Sequence, residues 1–229
     1  RFIRRQTAAE VGLKIPEKRD EQHFIDMDDE QRNVYGQLRA ELEDADSDST
    51  GSGHIFSIMD RMRKAAIDLE LYDPGEYKGH VSPKLREAAS TIAKNSADGG
   101  QVVFCDSNAV HEKLARLLVG KGIPREKIGI INGDAAKSAE ARQRIAEAFN
   151  DGKLRVVIGN TGVMGEGLNL QKDTTDLHNL DLPWEPASLQ QRTGRAVRQK
   201  NVHDSVRVHH YLAKGTFDGY RLQTVGAKK

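Results

Sequence analysis

Apolar residues change their spacing near residue 83, which divides the chain into two parts. In the first part they recur at intervals of three and four residues, as on one face of a helix. The two stripes consist of Val34, Tyr35, Leu38 and Leu42, then Ile55, Ile58, Met59, Met62, Ala66 and Leu69. Asp28 and Gln31 have the spacing of a helix N-cap. We predict a mostly helical segment 1–82 that contains an αα-hairpin, with the acidic, Gly/Ser-rich stretch 43–53 as its flexible loop.

Beyond residue 83, short apolar runs alternate with helical patterns. Five runs are predicted to be strands: 101–105, 127–131, 154–159, 177–181 and 205–211. Apolar strands that alternate with helices indicate a parallel sheet covered on both faces. The predicted fold class is α/β, a doubly wound and mostly parallel sheet over 83–229, preceded by the helical insertion over 1–82.

The composition narrows the classes of protein to consider. No apolar run approaches the roughly 18 residues that a membrane-spanning helix needs, and no secretory signal opens the chain. The single cysteine, Cys105, cannot form an internal disulfide and lies in an apolar run, where we expect it to be buried. We therefore expect no membrane partner and a reducing, cytoplasmic setting.

Charge is distributed unevenly although the formal net charge is only +1. Between residues 187 and 229 there are nine Lys and Arg residues against two Asp residues. A basic segment of this kind is suited to a nucleic-acid surface. His178, His209 and His210 lack a cysteine or carboxylate pair at metal-ligand spacing, so we assign them structural roles and predict no metal site.

A basic helical pattern over residues 191–199 carries the main candidate site. Gln191, Arg195 and Arg198 fall at i, i+4 and i+7, which places them on one stripe. The opposite side, predicted to pack inward, consists of Leu189, Thr193, Ala196 and Val197. A guanidinium keeps its charge and donates paired hydrogen bonds, which suits a phosphate whose charge changes during transfer. An exposed basic helix without a ligand would have the same pattern.

Polar residues follow the predicted strands where ligands collect in α/β sheets, at the carboxyl ends. Ser107, Asn132, Gly133 and Thr161 are our candidates for contacts with a nucleic-acid backbone, because hydroxyl, amide and free N–H groups bind phosphate oxygens. Each could instead serve a local turn or a helix cap.

The order of elements between residues 156 and 198 resembles a known set of motifs. A strand, the glycine-punctuated loop 160–170, a second strand, the turn Pro183-Trp184-Glu185-Pro186 and the Q-x-x-G-R-x-x-R helix follow one another. This order resembles motifs V, Va and VI of superfamily 2 helicases, closest to the Swi/Snf-like ATP-dependent DNA translocases. Residues 101–105 resemble motif IV, and Arg4-Arg5 with Pro16-Glu17-Lys18 resembles the start of this half of such a motor.

The resemblance implies a C-terminal RecA-like lobe whose ATP lies against the N-terminal RecA-like lobe of the same polypeptide. It implies that Arg195 and Arg198 act as arginine fingers, that Gln191 positions the nucleotide or the water, and that duplex DNA is bound. It also places three residues near the nucleotide, namely Gly165, Gly167 and Asn169. Trp184 is expected to support the turn or pack under the arginine helix.

Two elements of an ATP site are missing from the sequence. There is no G-x-x-x-x-G-K-[ST] loop to hold phosphates and no acidic pair after a strand to hold Mg²⁺. We therefore expect ATP and Mg²⁺ to be held mainly by the N-terminal lobe and this chain alone to be inactive. Its start at Arg1, without an initiator Met, favours a fragment of a longer polypeptide.

Two alternatives remain open. Gly194-Arg195, where the Swi/Snf-like family usually has Asp-Arg, favours the lobe of a strand-separating DNA or RNA helicase. A non-catalytic nucleic-acid-binding module with a RecA-like shape is the second alternative. The expected setting is the cytoplasm of a bacterial, phage-infected or mobile-element host cell, or the nucleus if the source is eukaryotic.

Overall fold

The computed structural model describes residues 14–47, 52–164 and 167–219. The strands are β1 (Glu17–Ile25), β2 (Gly100–Phe104), β3 (Ile128–Ile131), β4 (Val156–Gly159), β5 (Thr174–Asn179) and β6 (Ser205–Ala213). The helices are α1 (Asp29–Ser47), α2 (Ser52–Ile67), α3 (Leu69–Tyr72), α4 (Pro83–Asn95), α5 (Asn108–Gly120), α6 (Ala139–Asn150), α7 (Thr161–Met164) and α8 (Pro186–Ala196).

The six strands form one sheet in the order β1-β6-β5-β2-β4-β3, and every neighbouring pair is parallel. The predicted α/β fold with a parallel sheet is confirmed. The central strands β2 and β4 are buried throughout, which explains why they are short apolar runs without alternation. Gly159 closes β4 where a Cβ atom would lie 2.3 Å from the carbonyl oxygen of Ile131, so no larger residue fits there.

Helices cover both faces of this sheet. On one face, α4 and α5 pack through residues such as Leu85, Ile92 and Leu114 against a cluster that includes Cys105, which is fully buried. On the other face, Phe149 of α6 and residues of α7 and α8 pack against β2, β4 and β5. The sheet is therefore a central layer, and its carboxyl edge lies between the two helical layers.

The predicted helical hairpin is present as α1 and α2, which share a third hydrophobic cluster. The backbone N–H of Gln31 donates to Asp28 Oδ1 at 2.9 Å, so Asp28 caps α1 as predicted. The side chain of Gln31 does not return to the cap but donates to the carbonyl of Ala65 in α2.

The predicted bounds of the loop, residues 43–53, were wrong at both ends. The helix α1 continues to Ser47 and α2 begins at Ser52, while residues 48–51 lie outside the described residues. Helical contacts explain the difference, because Ala45 is buried in the shared cluster while Glu43 and Asp44 are exposed. No helix in the described ranges is long and apolar enough to cross a bilayer.

The strand β1 was not predicted. It pairs with β6 along its whole length, from Glu17 opposite Ser205 to Ile25 opposite Ala213. Its side chains are mostly charged and exposed, because a strand at a sheet edge is stabilised by backbone hydrogen bonds and needs no apolar pattern. The boundary at residue 82 remains a prediction, but the sheet takes one strand from the segment before it.

Candidate functional site

Four loops meet at the carboxyl edge of the sheet, as predicted. Asn108 Nδ2 donates to Asp134 Oδ2 at 2.9 Å and Asn160 Nδ2 donates to Asn108 Oδ1 at 2.9 Å. The backbone N–H of Asp106 donates to Asp181 Oδ2 at 2.8 Å. These bonds connect the segments that follow β2, β3, β4 and β5 into one polar edge.

Arg192 is the centre of this edge and is fully buried. Its guanidinium donates to Asp106 Oδ2 at 2.9 Å, to Asp181 Oδ1 at 3.0 Å and to the carbonyl of Asp181 at 2.7 Å. It also donates to Thr161 Oγ1 at 2.8 Å and to Asn179 Oδ1 at 3.2 Å. One side chain of α8 thus joins three of the edge loops.

The charge of Arg192 lowers the pKa of Asp106 beside it. Burial by itself would raise the pKa of Asp106, but the charge of Arg192 and hydrogen bonds from Thr161 outweigh it and lower that pKa. Asp181 is nearly fully buried and has a second cation, Arg63 of α2, with its Nη1 3.7 Å from Asp181 Oδ2. The helical hairpin therefore reaches the same edge.

The sequence analysis counted Arg192 only as a surface charge. A signal was available, because Arg192 lies four residues before Ala196 and therefore on the side predicted to pack inward. Of the carboxylates that bind it, Asp106 directly follows the predicted strand 101–105 and Asp181 is the last residue of the predicted strand 177–181. Recognising the network required knowing that β2 and β5 are neighbours in the sheet.

The predicted arginine stripe is only partly helical. The helix α8 ends at Ala196, and Arg198 lies beyond it, so its predicted place on the helix was wrong. The chain leaves the helix at Val197, with φ −85° and ψ 78°, and Lys200 then adopts a left-handed φ of 73°. Gln191 and Arg195 lie on the helix and are both half-buried.

Arg195 and Arg198 both contact the loop that follows α7. Arg195 Nη1 donates to the carbonyl of Leu168 at 3.1 Å, and Arg198 Nη1 donates to Asn169 Oδ1 at 3.1 Å. Arg198 is exposed. The loop whose residues were predicted to lie near a nucleotide therefore positions both arginines, and we call these two residues together with the loop 167–170 the arginine rim.

In that loop, buried and exposed residues alternate. Leu168 and Leu170 are buried, while Gly167 and Asn169 between them are exposed. Gly167 has a φ of +70°, a left-handed conformation that glycine adopts without strain. It lines an open cleft between this loop and α6, together with Val163, Leu168 and Arg142. Gly165, the third predicted nucleotide contact, lies outside the described residues.

The four candidates for nucleic-acid contacts differ in what they expose. Gly133 is exposed, and Ser107 occupies the N-cap of α5 without making a side-chain cap bond. The hydroxyl of Thr161 donates to Asp106 and accepts from Arg192. Asn132 is buried, and its Oδ1 accepts from the N–H groups of residues 134 and 135, so its side chain serves the turn.

Trp184 was expected to support the turn or pack under α8. Its side chain is instead 58% exposed. Pro183 is buried and Pro186 occupies the first turn of α8, so the prolines fix this segment and the indole remains at the surface. An exposed tryptophan beside a polar edge offers a stacking surface, a role that was not predicted from the sequence.

Comparison with known families supports the resemblance given by the motifs. Residues 83–200 match the family described as the helicase conserved C-terminal domain, and this match covers just over half of the chain. The defense against restriction protein B of Escherichia phage P1 is 30% identical over 196 residues, covering 65% of this chain and 9% of that protein. The putative ATP-dependent helicase/translocase YwqA of Bacillus subtilis is 28% identical, covering 95% of this chain and 24% of that protein.

Solved structures show the same fold at low sequence identity. The SWI2/SNF2 ATPase core of Sulfolobus solfataricus, solved in complex with double-stranded DNA, has a TM-score of 0.74 at 18% identity, covering 93% of this chain and 44% of that one. Its C-terminal domain alone has a TM-score of 0.73 at 18% identity, with 93% and 86% of the two chains covered. The expected fold of a Swi/Snf-like C-terminal lobe is confirmed, and the chain spans less than a quarter of the curated relatives it matches.

Proposed function

The chain belongs to the family of helicase conserved C-terminal domains, and from this premise we propose that it is the second motor lobe of an ATP-dependent DNA translocase. The observation that carries this proposal is the pair Arg195 and Arg198 at the rim, each bonded to the loop 167–170. Two fixed cations beside an exposed glycine and an exposed asparagine match what the phosphates and ribose of a nucleotide require.

In this proposal, ATP and Mg²⁺ are held mainly by an N-terminal RecA-like lobe of the same polypeptide. When that lobe closes, Arg195 and Arg198 reach the γ-phosphate and offset the charge that develops as the phosphoryl group is transferred to water. Gln191, half-buried on α8, orients the nucleotide or the attacking water. The contacts from Leu168 and Asn169 hold the two guanidiniums near this position before closure, which reduces the reorganisation that the reaction needs.

The polar edge is the proposed track for duplex DNA. Ser107 presents a hydroxyl and Gly133 an open backbone there, and Trp184 stands exposed nearby. The hydroxyl and N–H of Thr161 are bonded to Asp106 and Arg192, so Thr161 would exchange these partners for DNA. For Asn132 the proposal is restricted to its backbone, because its side chain is occupied in a turn. Arg192 bonds to Thr161 on this edge and lies three residues before Arg195 on α8. The helix α8 therefore links the proposed DNA-binding edge to the proposed arginine finger Arg195.

The test is Arg195→Ala in the intact two-lobe protein. Removing an arginine finger is expected to lower DNA-stimulated ATP hydrolysis by about 10³- to 10⁵-fold while DNA affinity stays near that of the wild type. Arg116→Ala, an exposed arginine on α5 far from the edge loops, is the matched control and should retain full turnover. Near-normal hydrolysis by Arg195→Ala would remove the assignment.

Two further measurements separate the alternatives. The 229-residue chain alone is expected to show no ATP hydrolysis, and robust turnover by it would refute a site shared between two lobes. Gly194-Arg195 favours a strand-separating helicase, so a strand-displacement assay on the intact protein distinguishes unwinding from translocation on duplex DNA. A non-catalytic module would bind DNA without any dependence on nucleotide.

A further inference from the structure

Histidines from three neighbouring strands form a row across the sheet. The ring centroids of His178 on β5 and His209 on β6 are 4.5 Å apart, and those of His209 and His23 on β1 are 5.2 Å apart. Asp176 lies on β5, two residues before His178, and contacts His209. From the sequence, His178 and His209 were assigned structural roles because they lack a cysteine or carboxylate pair at metal-ligand spacing.

His178 has no free ring nitrogen for a ligand. Its Nε2 is 2.9 Å from Gln101 Oε1, and its Nδ1 is 2.9 Å from the hydroxyl of Tyr211. It is fully buried, and both bonds fit a neutral ring that donates at Nε2 and accepts at Nδ1. The group formed by Asp176, His178 and His209 is therefore closed by its own hydrogen bonds.

His209 is oriented by Asp176. Arg207 donates to both oxygens of that carboxylate, at 2.7 and 2.9 Å, which keeps it an anion and an acceptor. His209 Nε2 lies 2.7 Å from Asp176 Oδ1, so this nitrogen carries the proton and donates. In the neutral ring, Nδ1 then keeps its lone pair and points toward β1. A carboxylate that fixes the far nitrogen is the usual support of a metal-binding histidine.

Two further potential metal ligands, both from β1, lie close to that lone pair. His23 Nε2 is 3.0 Å from His209 Nδ1, and Glu21 Oε2 is 3.3 Å from the same atom. Ligand atoms on a tetrahedral zinc ion are separated by about 3.3 Å, because the bonds are about 2.0 Å long. On the other side of the His23 ring, Glu87 Oε1 of α4 lies 3.8 Å from Nδ1. Glu21 is about half-exposed, so an ion has an entry path and a position for water.

We propose that Glu21, His23 and His209 form a binding site for a transition-metal dication of the Zn²⁺ class, with Asp176 and Glu87 supporting the two histidines. Glu21 and His209 are direct partners in the β1–β6 register, and His23 lies two residues on, on the same side of β1. The ion would join the exposed edge strand to the buried sheet and act as a structural clip. The competing occupant is a proton on His209, which would place an imidazolium between Asp176 and Glu21.

The experiment is a titration of the chain with Co²⁺ and Zn²⁺, using protein without a polyhistidine tag. We expect one Co²⁺ per chain with the visible absorption of a four-coordinate ion, displaced by Zn²⁺. Zn²⁺ at about 100 times its Kd should raise Tm by about 5 to 10 °C. His54→Gln, an exposed histidine on α2, is the control and should bind as the wild type does.

Variants test the assigned ligands. His23→Gln and Glu21→Gln should each lower the affinity at least about 10-fold, and Glu87→Gln should lower it by about 10-fold. His23→Cys should bind with a new cobalt–thiolate band in the near ultraviolet, because the other cysteine, Cys105, is buried in the folded chain and gives the wild type no such band. Binding that is absent, or equally weak in wild type, His54→Gln and His23→Gln, would overturn the proposal and leave the proton as occupant. Neither result depends on ATP hydrolysis, so the motor assignment is unaffected.

Discussion

Two buried charges of opposite sign organise this sheet, and they differ in what they connect. Arg192, a cation, is surrounded at the carboxyl edge by acceptors from the segments that follow β2, β4 and β5. Asp176, an anion on β5, is surrounded by donors that include Arg207, His209, Gln101 and Asn95. The first network therefore ties loops together, and the second ties strands and the end of α4.

The difference in solvent exposure separates their roles. Asp106, a main partner of Arg192, has 38% of its side chain exposed, whereas Asp176 is fully buried. A charge that is partly in water can exchange its protein partners for solvent at lower cost than a fully buried one. The Arg192 network is thus suited to the edge that we propose binds and releases DNA, and the Asp176 network to a fixed core.

The largest effect on stability is expected for Asp176→Ala. Removing this carboxylate leaves Arg207 and His209 without their anion, and breaking a buried ion pair in this way costs about 3–5 kcal/mol. Urea denaturation of the chain measures the loss. Asp26→Ala, which removes an exposed pair with Lys214, is the control and should leave the denaturation midpoint near that of the wild type. Equal losses for the two variants would contradict a fixed core at Asp176.

Arg192→Met is expected to have the next largest effect, about 3 kcal/mol, at the low end of the same range. Asp106 can turn to water when the guanidinium is removed, but Asp181 cannot. Arg192→Lys keeps the charge yet supplies a point donor in place of the planar fork, so its loss should be smaller. A loss for Arg192→Met greater than that for Asp176→Ala would reverse the ranking of the two networks.

Lowering the pH should reduce the contribution of Asp176 to the free energy of unfolding, and a variant at this position can measure that contribution. Burial would raise the pKa of Asp176, but hydrogen bonds from His209 and Arg207 hold it well below its usual value of 3.8. A lowered folded-state pKa gives stability that is complete above the unfolded pKa and is lost as pH falls through the folded one. Between about pH 6 and pH 3, this group should account for a loss on the order of 1 kcal/mol.

The measurement is the free energy of unfolding as a function of pH, compared with Asp176→Asn. The variant cannot titrate at this position, so its stability should fall less steeply below pH 5 or so. Asp106→Asn should flatten the curve less, because its lowered pKa belongs to a carboxylate screened by water. Parallel curves for wild type and Asp176→Asn would show that the carboxylate gains nothing from its partners.

The smallest effect is expected for Gly194→Ala. Gly194 lies inside α8, where an added Cβ meets no atom within 4 Å, so alanine should stabilise the helix by up to about 1 kcal/mol. Thermal denaturation should show a rise in Tm of about 2–4 °C. Gly159→Ala is the contrasting control, because its Cβ would clash with Ile131 and must lower Tm. A fall in Tm for Gly194→Ala would mean that α8 needs glycine for a reason other than packing.

The sequence predicted much of the fold because its signals are local. The strand β4 follows from its apolar run, and it begins two residues later than predicted and ends at the predicted residue. The strand β1 was missed because its stability comes from pairing with β6, which leaves no apolar pattern in its own residues. The end of α8 was misplaced because Arg198 continues the helical spacing although the backbone turns at Val197.

By itself the sequence determined the alternation of strands and helices, the polar residues at the carboxyl edge and the motif order that identified the family. Only the tertiary structure decided that Arg192 is buried, that Arg198 meets Asn169, and that Glu21 and His23 face His209. The physical reason is that charge pairing depends on which strands are neighbours. Asp176 and Arg207, 31 positions apart, and His23 and His209, 186 positions apart, become partners through sheet order, which no short sequence window contains.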